Sequence, residues 1–197
     1  VTLSRRTRVP SLLERFAWLP TEASHGLADG NIYVGNQALE PEVAYTLEAG
    51  ADFNGEVFTF RPTAYYRRVN DFIQGKPFDA TVGVLDTPVE MVANMNGDPT
   101  PLTFRNVDAE FYGVDLDFTV RPTARILIDG TMNYVRGMRR DIDDDLYRVP
   151  PLNGRISIAY EGDRIAIGGE LTGAADQNAV SVSNDEDTSE GYVIAGL

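Results

Sequence analysis

The stretch VAYTLEAGADF, from Val43 to Phe53, decides the fold class. Val43, Tyr45, Leu47, Ala49, Ala51 and Phe53 fall on one side of an extended chain, and Ala44, Thr46, Glu48, Gly50 and Asp52 fall on the other. That period of two belongs to a β-strand with one apolar and one wet face; a helix would scatter the same residues around its circumference. Asn54-Gly55 follows, a pair that readily takes positive φ at a tight hairpin. The next strand is expected from about Glu56 to Phe72, with Phe58, Phe60, Ala64 and Tyr66 on one face and Thr59, Arg61, Thr63, Tyr65 and Arg67 on the other. Pro62 cannot donate to a ladder, so a bulge or a missing bond is expected there.

Working outward, the alternation recurs. In Asn106 to Val120, Val107, Ala109 and Phe111 point one way, whereas after Gly113 the apolar face is Val114, Leu116, Phe118 and Val120. A phase slip beside a glycine predicts a β-bulge. Further strands are expected at Arg125 to Gly137, from Leu152 to Glu161, from Arg164 to Thr172 and at Tyr192 to Leu197. Asn54-Gly55, Arg121-Pro122-Thr123 and Gly162-Asp163 read as tight turns. They alternate with long segments at Gln74–Arg105, Arg139–Pro150 and Ala175–Glu190, the first with room for a short hairpin. Short turns at one end and long loops at the other are the pattern of an antiparallel transmembrane β-barrel meander. A soluble sandwich mixes its connections. Phe53, Phe58, Phe118 and Tyr160 lie beside the tight turns, as an interfacial aromatic girdle requires, although core aromatics explain them equally well.

Composition removes several functions. The formal net charge of -13 argues against a nucleic-acid partner, which needs a basic face. The chain has no cysteine and one histidine, so thiolate metal centres, redox motifs and disulfides are excluded. No stretch approaches the ~18 apolar residues of a membrane helix, which leaves strand-based spanning open. No nucleophile elbow, phosphate loop or HExxH motif occurs, so an enzyme is not expected.

Two segments go beyond pattern: SRRTRVPSLLERF, from Ser4 to Phe16, and GNQALEPEVAYTLEAGADF, from Gly35 to Phe53. With AYYRRVNDFIQG (Ala64 to Gly75) and NVDAEFYGVDLDF (Asn106 to Phe118), they resemble the barrel of the TonB-dependent receptors, in order and spacing. The resemblance implies that residues 1–197 are part of a single β-barrel domain: about eight strands against the ~22 of a full transporter barrel, with the plug and the final strands absent. It further implies an outer-membrane receptor that actively imports a scarce nutrient, such as an iron-siderophore or other metal chelate. Its partners would be the TonB complex, reached through the absent N-terminal region, the chelate and the outer-membrane lipid, with no resident cofactor. A passive outer-membrane channel, or a soluble lipocalin-like barrel binding a small molecule, remains the alternative.

The candidate ligand contacts lie in segments that the resemblance makes outer loops. His25, near Glu22 and Asp29, pairs imidazole with carboxylate, a set that suits zinc, copper or iron. Asp141, Asp143 and Asp145 would share a face if extended, though the run lacks the glycine and terminal glutamate of an EF-hand loop. A solvated loop is the plainer reading of each, and no residue set is singled out as a metal site. Arg61, Arg67, Asp115, Asp117, Arg155 and Glu170 are expected to face the lumen, as ion pairs stiffening the wall or as contacts to plug or ligand.

Overall fold

The computed structural model describes residues 1–18 and 30–197. They form one antiparallel meander that does not close on itself. Its strands are β1 (Thr2–Arg8), β2 (Tyr33–Val34), β3 (Glu42–Gly50), β4 (Phe53–Asn54), β5 (Phe58–Pro77), β6 (Leu102–Thr123), β7 (Ile126–Arg139), β8 (Asn153–Glu161), β9 (Ala166–Ala174) and β10 (Tyr192–Gly196). The main path runs β1-β3-β5-β6-β7-β8-β9-β10 in a ten-stranded sheet, with β4 extending β3 along β5. The short β2 adds a parallel bridge, Tyr33 to Leu102 and Val34 to Thr103, that alternation does not announce. Among the described residues two α-helices, α1 (Leu12–Phe16) and α2 (Pro88–Met95), lie in the loops.

The pairing carries the two faces coherently across the sheet. One apolar row runs through Pro62, Leu116, Met132 and Gly154, and its neighbour through Phe60, Phe118, Gly130 and Ile156. This face is bare: Leu47 is 49% exposed, Ile158 53% and Ile167 64%. The buried core is elsewhere, at the loop end. Tyr33, Leu39, Ile73, Leu102 and Phe104 form one cluster, Ile32, Val34 and Ala93 a second, and Val69, Val107, Ala109 and Leu146 a third.

The third cluster corrects the expected bulge at Gly113. β6 pairs without interruption through Gly113 on both sides, so Val107, Ala109 and Phe111 share a face with Asp115 and Asp117. The apolar pattern changes sides because Leu146 and Val149 come down from the loop and cover that end of the polar face. Gly113 serves a different purpose. A Cβ there would lie 2.4 Å from the Tyr134 carbonyl oxygen and 2.6 Å from Cζ of Tyr65, the residue directly opposite. Gly113→Ala should therefore lower barrel stability by about 1–3 kcal/mol, the usual cost of overpacking, as a drop in denaturant midpoint.

The true bulge falls between Val69 and Phe72, where Asp71 has a φ of 58°. Such a backbone kink leaves donors and acceptors out of register, and they must be satisfied locally. Glu42 accepts from the Ile73 amide at 2.8 Å, and the Asn106 side chain donates to the Asp71 carbonyl at 2.7 Å.

The turns also differ in detail. The Asn54-Gly55 hairpin forms, but neither residue takes positive φ; Asn54 pairs with Thr59 and the Gly55 amide donates to the Phe58 carbonyl at 2.7 Å. The four-residue reversal needs no left-handed position, and a Cβ on Gly55 would press on the Phe58 ring at 2.8 Å. β6 runs through Arg121-Pro122-Thr123, which hold an irregularity between Val120 and Thr123; the chain reverses after Thr123, which pairs with Ile126. Pro62 remains paired with Leu116, and its carbonyl accepts from Ala51, so its missing donor faces the break between β3 and β4. Of the expected Gln74–Arg105 loop, both ends are strand and the middle holds a helix rather than a hairpin.

Candidate ligand cleft at the loop end

The loops are held by side chains that sequence distance had hidden from one another. Ser11 and Glu14 form a capping box on α1: the Glu14 amide donates to Ser11 Oγ at 3.2 Å and the Ser11 amide to Glu14 Oε2 at 2.6 Å. Glu14 also takes Arg8 at 2.9 Å, and Arg8 bridges to Glu42 at 2.6 Å. Gly35 lies against α1 so closely that a Cβ would sit 2.6 Å from its backbone. Asn36 donates to the Phe104 carbonyl at 3.0 Å, and Asn106 exchanges hydrogen bonds with the Glu40 backbone at 2.9 and 3.0 Å. Residues of separate sequence motifs thus tie one knot, which fixes where the loops leave the sheet.

On this base sits a cleft of about 330 Å³, walled among others by Asp79, Glu90, Tyr147, Asn184, Asp185 and Glu186. Helix α2 forms one wall. Its Thr87 N-cap and Glu90 make a second capping box, and Ala93 packs on Ile32 and Val34. Asp98, buried, accepts from the Ile32 amide at 2.6 Å and the Thr100 amide at 2.9 Å, pinning the segment before β6. Carboxylate oxygens of Asp79, Asp86 and Glu90 lie within 4.8 Å of one another, an all-oxygen set of the kind hard cations prefer.

The opposite wall is the segment around the 3-10 turn Val182–Asn184. Asp144 accepts from Ser181 Oγ at 3.1 Å and from the amides of Val182 and Ser183 at 2.8 and 3.2 Å. Glu186 accepts from the amides of Arg148 and Ser181, and Asn184 donates to the Gly75 carbonyl at 2.6 Å. Burial alone would raise the Asp144 carboxyl, but the hydrogen bonds from Ser183, Val182 and Ser181 outweigh it and hold it below the usual range. With a depressed folded pKa, the tie is complete above the ordinary aspartate value of about 3.9 and is lost as pH falls through the lower folded value. Exchange of the Val182 and Ser183 amides, corrected for intrinsic rate, should stay flat from neutral pH down to about 4 and rise only below it. Asp144→Ala should open the same amides at neutral pH.

The sequence candidates are distributed as follows. His25 and Asp29 lie outside the described residues. The chain bends between Asp141 and Asp145, so the aspartates do not share an extended face. Asp141 is held by Arg139, whose hydrogen bond lowers its pKa; Asp145 pairs with Arg136 at 3.0 Å, and Asp143 is exposed. Arg61, Arg67, Asp115, Asp117, Arg155 and Glu170 lie on one face by register. There Arg155 bridges Asp129 at 2.6 Å and Glu170 at 2.8 Å, Arg61 turns to Asp52 at 3.1 Å, and Arg67 reaches Thr46 at 3.3 Å. The residues missed by pattern are Asp144, inside the acidic run that reads as solvated, and Glu186, in the long segment Ala175–Glu190, together with Asp98 and the Asp79, Asp86, Glu90 group. Only Thr87-x-x-Glu90 carried a local signal, as a capping box before an apolar run.

A family model described as the TonB dependent receptor-like β-barrel matches residues 1–197. The chain belongs to the TonB-dependent receptor barrel family. Among solved structures it is similar to the copper transporter OprC, at a TM-score of 0.74 and 22% identity, covering 98% of this chain and 27% of that one. The siderophore receptor PirA from Acinetobacter baumannii superposes at 0.63 with 14% identity, covering 98% of this chain and 31% of that one. The pyoverdine outer membrane receptor FpvA from Pseudomonas aeruginosa PAO1 gives 0.54 and 11%, with 81% and 23% covered. At these identities the likeness concerns the fold, and the chain spans less than a third of each of these receptors. The open sheet with two unpaired edges is thus a partial TonB-dependent receptor barrel. As an outer-membrane protein it meets lipid with its bare apolar face, which explains a surface that water would not tolerate.

Proposed function

We propose that this chain is the ligand-capturing part of an active importer of a scarce nutrient, such as an iron-siderophore or other metal chelate, driven by energy from the TonB complex. The observation that carries the reading is the cleft at the loop end: four separate chain segments converge there, tied by hydrogen bonds to other parts of the chain, on the side where long loops gather. A polar hollow held by rigid ties is pre-organised for a small ligand. In this reading the segments bearing His25, Asp29, Asp141, Asp143 and Asp145 make the first contacts outside. Arg61, Arg67, Asp115, Asp117, Arg155 and Glu170 line the interior path below. The barrel positions and conducts, and catalyses nothing.

The test is uptake by cells carrying the full-length receptor as sole importer, over a panel of radiolabelled metal chelates. Accumulation of one chelate, abolished by deletion of TonB, is the expected result. Uptake that persists without TonB would show a passive channel.

A further inference from the structure

The lipid-facing side ends, toward the loops, in a band of tyrosines and arginines that the transport reading leaves unused. Tyr66 and Tyr112 are partners in one row of this face; the next row outward holds Arg5, Tyr45, Arg68 and Glu110. From Phe58, by the turns, to Arg68 is about 34 Å of strand at ~3.4 Å per residue, and a tilt near 40° makes that a height of about 26 Å. The apolar band of such a barrel is about 25 Å tall. Arg5 and Arg68 therefore stand at the level of the lipid headgroups on the loop side.

Their partners are unusual for a chain of net charge -13. Arg5 donates from Nε to the Tyr45 hydroxyl at 3.3 Å, and its guanidinium lies 5.7 Å from the Tyr45 ring centre. Arg68 flanks the same tyrosine from the other strand and makes no ion pair among the described residues. The carboxylate opposite it, Glu110, accepts instead from the Tyr66 hydroxyl at 2.8 Å. The neighbouring basic groups are already engaged: Arg140 with Asp108 at 3.2 Å and Arg136 with Asp145 at 3.0 Å. Where so many carboxylates surround the loops, two exposed arginines that pair with none among the described residues, one of them braced on an interfacial tyrosine, call for an anion from outside the chain. Guanidinium matches phosphate oxygens geometrically, and at this depth the phosphates present are those of lipid headgroups.

We propose that Arg5 and Arg68, set on either side of Tyr45, form a docking site for the phosphate of an anionic lipid in the outer leaflet. The site is independent of the transported ligand.

The test uses the full-length receptor in a background whose sole cysteine is Leu47→Cys, one row inside the membrane, labelled with bimane and reconstituted in phosphatidylcholine vesicles. Trace lipids with a nitroxide on the acyl chain quench the label when they bind beside it. Nitroxide phosphatidic acid should quench far more effectively than nitroxide phosphatidylcholine. The preference should fall by about five-fold for each arginine removed, in R5Q and R68Q, since each surface cation contributes about that factor. R6Q, on the opposite face, should keep it. Heat-modifiability confirms that every variant is folded. Equal quenching by the two lipids in the parent, or a preference that survives in R5Q/R68Q, overturns the proposal. So does displacement by inorganic phosphate beyond that by sodium chloride of equal ionic strength, which would mark a site for phosphate in general.

Discussion

Met132→Arg should destabilise the barrel by about 2–4 kcal/mol, whereas Asn133→Arg, its neighbour in sequence, should change stability by less than about 1 kcal/mol. The two residues lie at one depth and differ only in face. Met132 is 37% exposed on the lipid side, in the row of Pro62, Leu116 and Gly154 near the middle of the apolar band. Asn133 pairs with Asp115 on the polar side, where a new guanidinium meets a carboxylate. A charge at the bilayer midplane loses its hydration, and a side chain pointing into hydrocarbon has nothing to replace it. The measurement is the denaturant midpoint of the full-length receptor in lipid vesicles. Equal midpoints for the two variants would reverse the assignment of faces. Ile128, on the same lipid face, lies beside Phe58 and Val120 at the turn end, so the same substitution there should cost less.

Glu42→Ala is expected to cost about 2–3 kcal/mol, less than the full loss for a buried ion pair because Arg8 remains half exposed. Glu42 performs two tasks at once. It closes the Arg8 and Glu14 knot, and it satisfies the Ile73 amide that the bulge leaves without a strand partner. Removing it strands a buried donor, which is worse than never having had the pair. Glu42→Gln, which keeps an acceptor for Ile73 and loses the charge, should recover about half of the loss. Hydrogen exchange at Ile73 separates the two roles: it should rise sharply in Glu42→Ala and little in Glu42→Gln. Unchanged exchange in both variants would mean that the bulge is held by Asn106 alone.

The knot also gives the sequence motifs a physical meaning. Arg8, Glu14, Gly35, Asn36, Glu42 and Asn106 lie in segments that can be recognised by their spacing, and in the structure they hold one another. What such motifs record is the exit of the loops from the barrel wall. The ligand cleft lies beyond that knot and is built from residues with no comparable pattern.

The sequence by itself determined the main strands from β3 onward, their two faces away from the loops, and the end at which the long loops gather. Each of these follows from the period of side chains along an extended chain, which is a local property: Leu47 and Glu48 must point apart wherever the strand is placed. Alternation misread Val107, Ala109 and Phe111, because an apolar residue looks the same whether lipid or a descending loop covers it. Only the tertiary structure decided that Leu146 and Val149 cover them and that the bulge falls at Asp71 rather than Gly113. It alone made structural ties of Asp98, Asp144 and Glu186, carboxylates whose partners are other loops' amides. The partners of such a group lie tens of residues away, and no short-range pattern encodes a hydrogen bond that exists only after two loops have met.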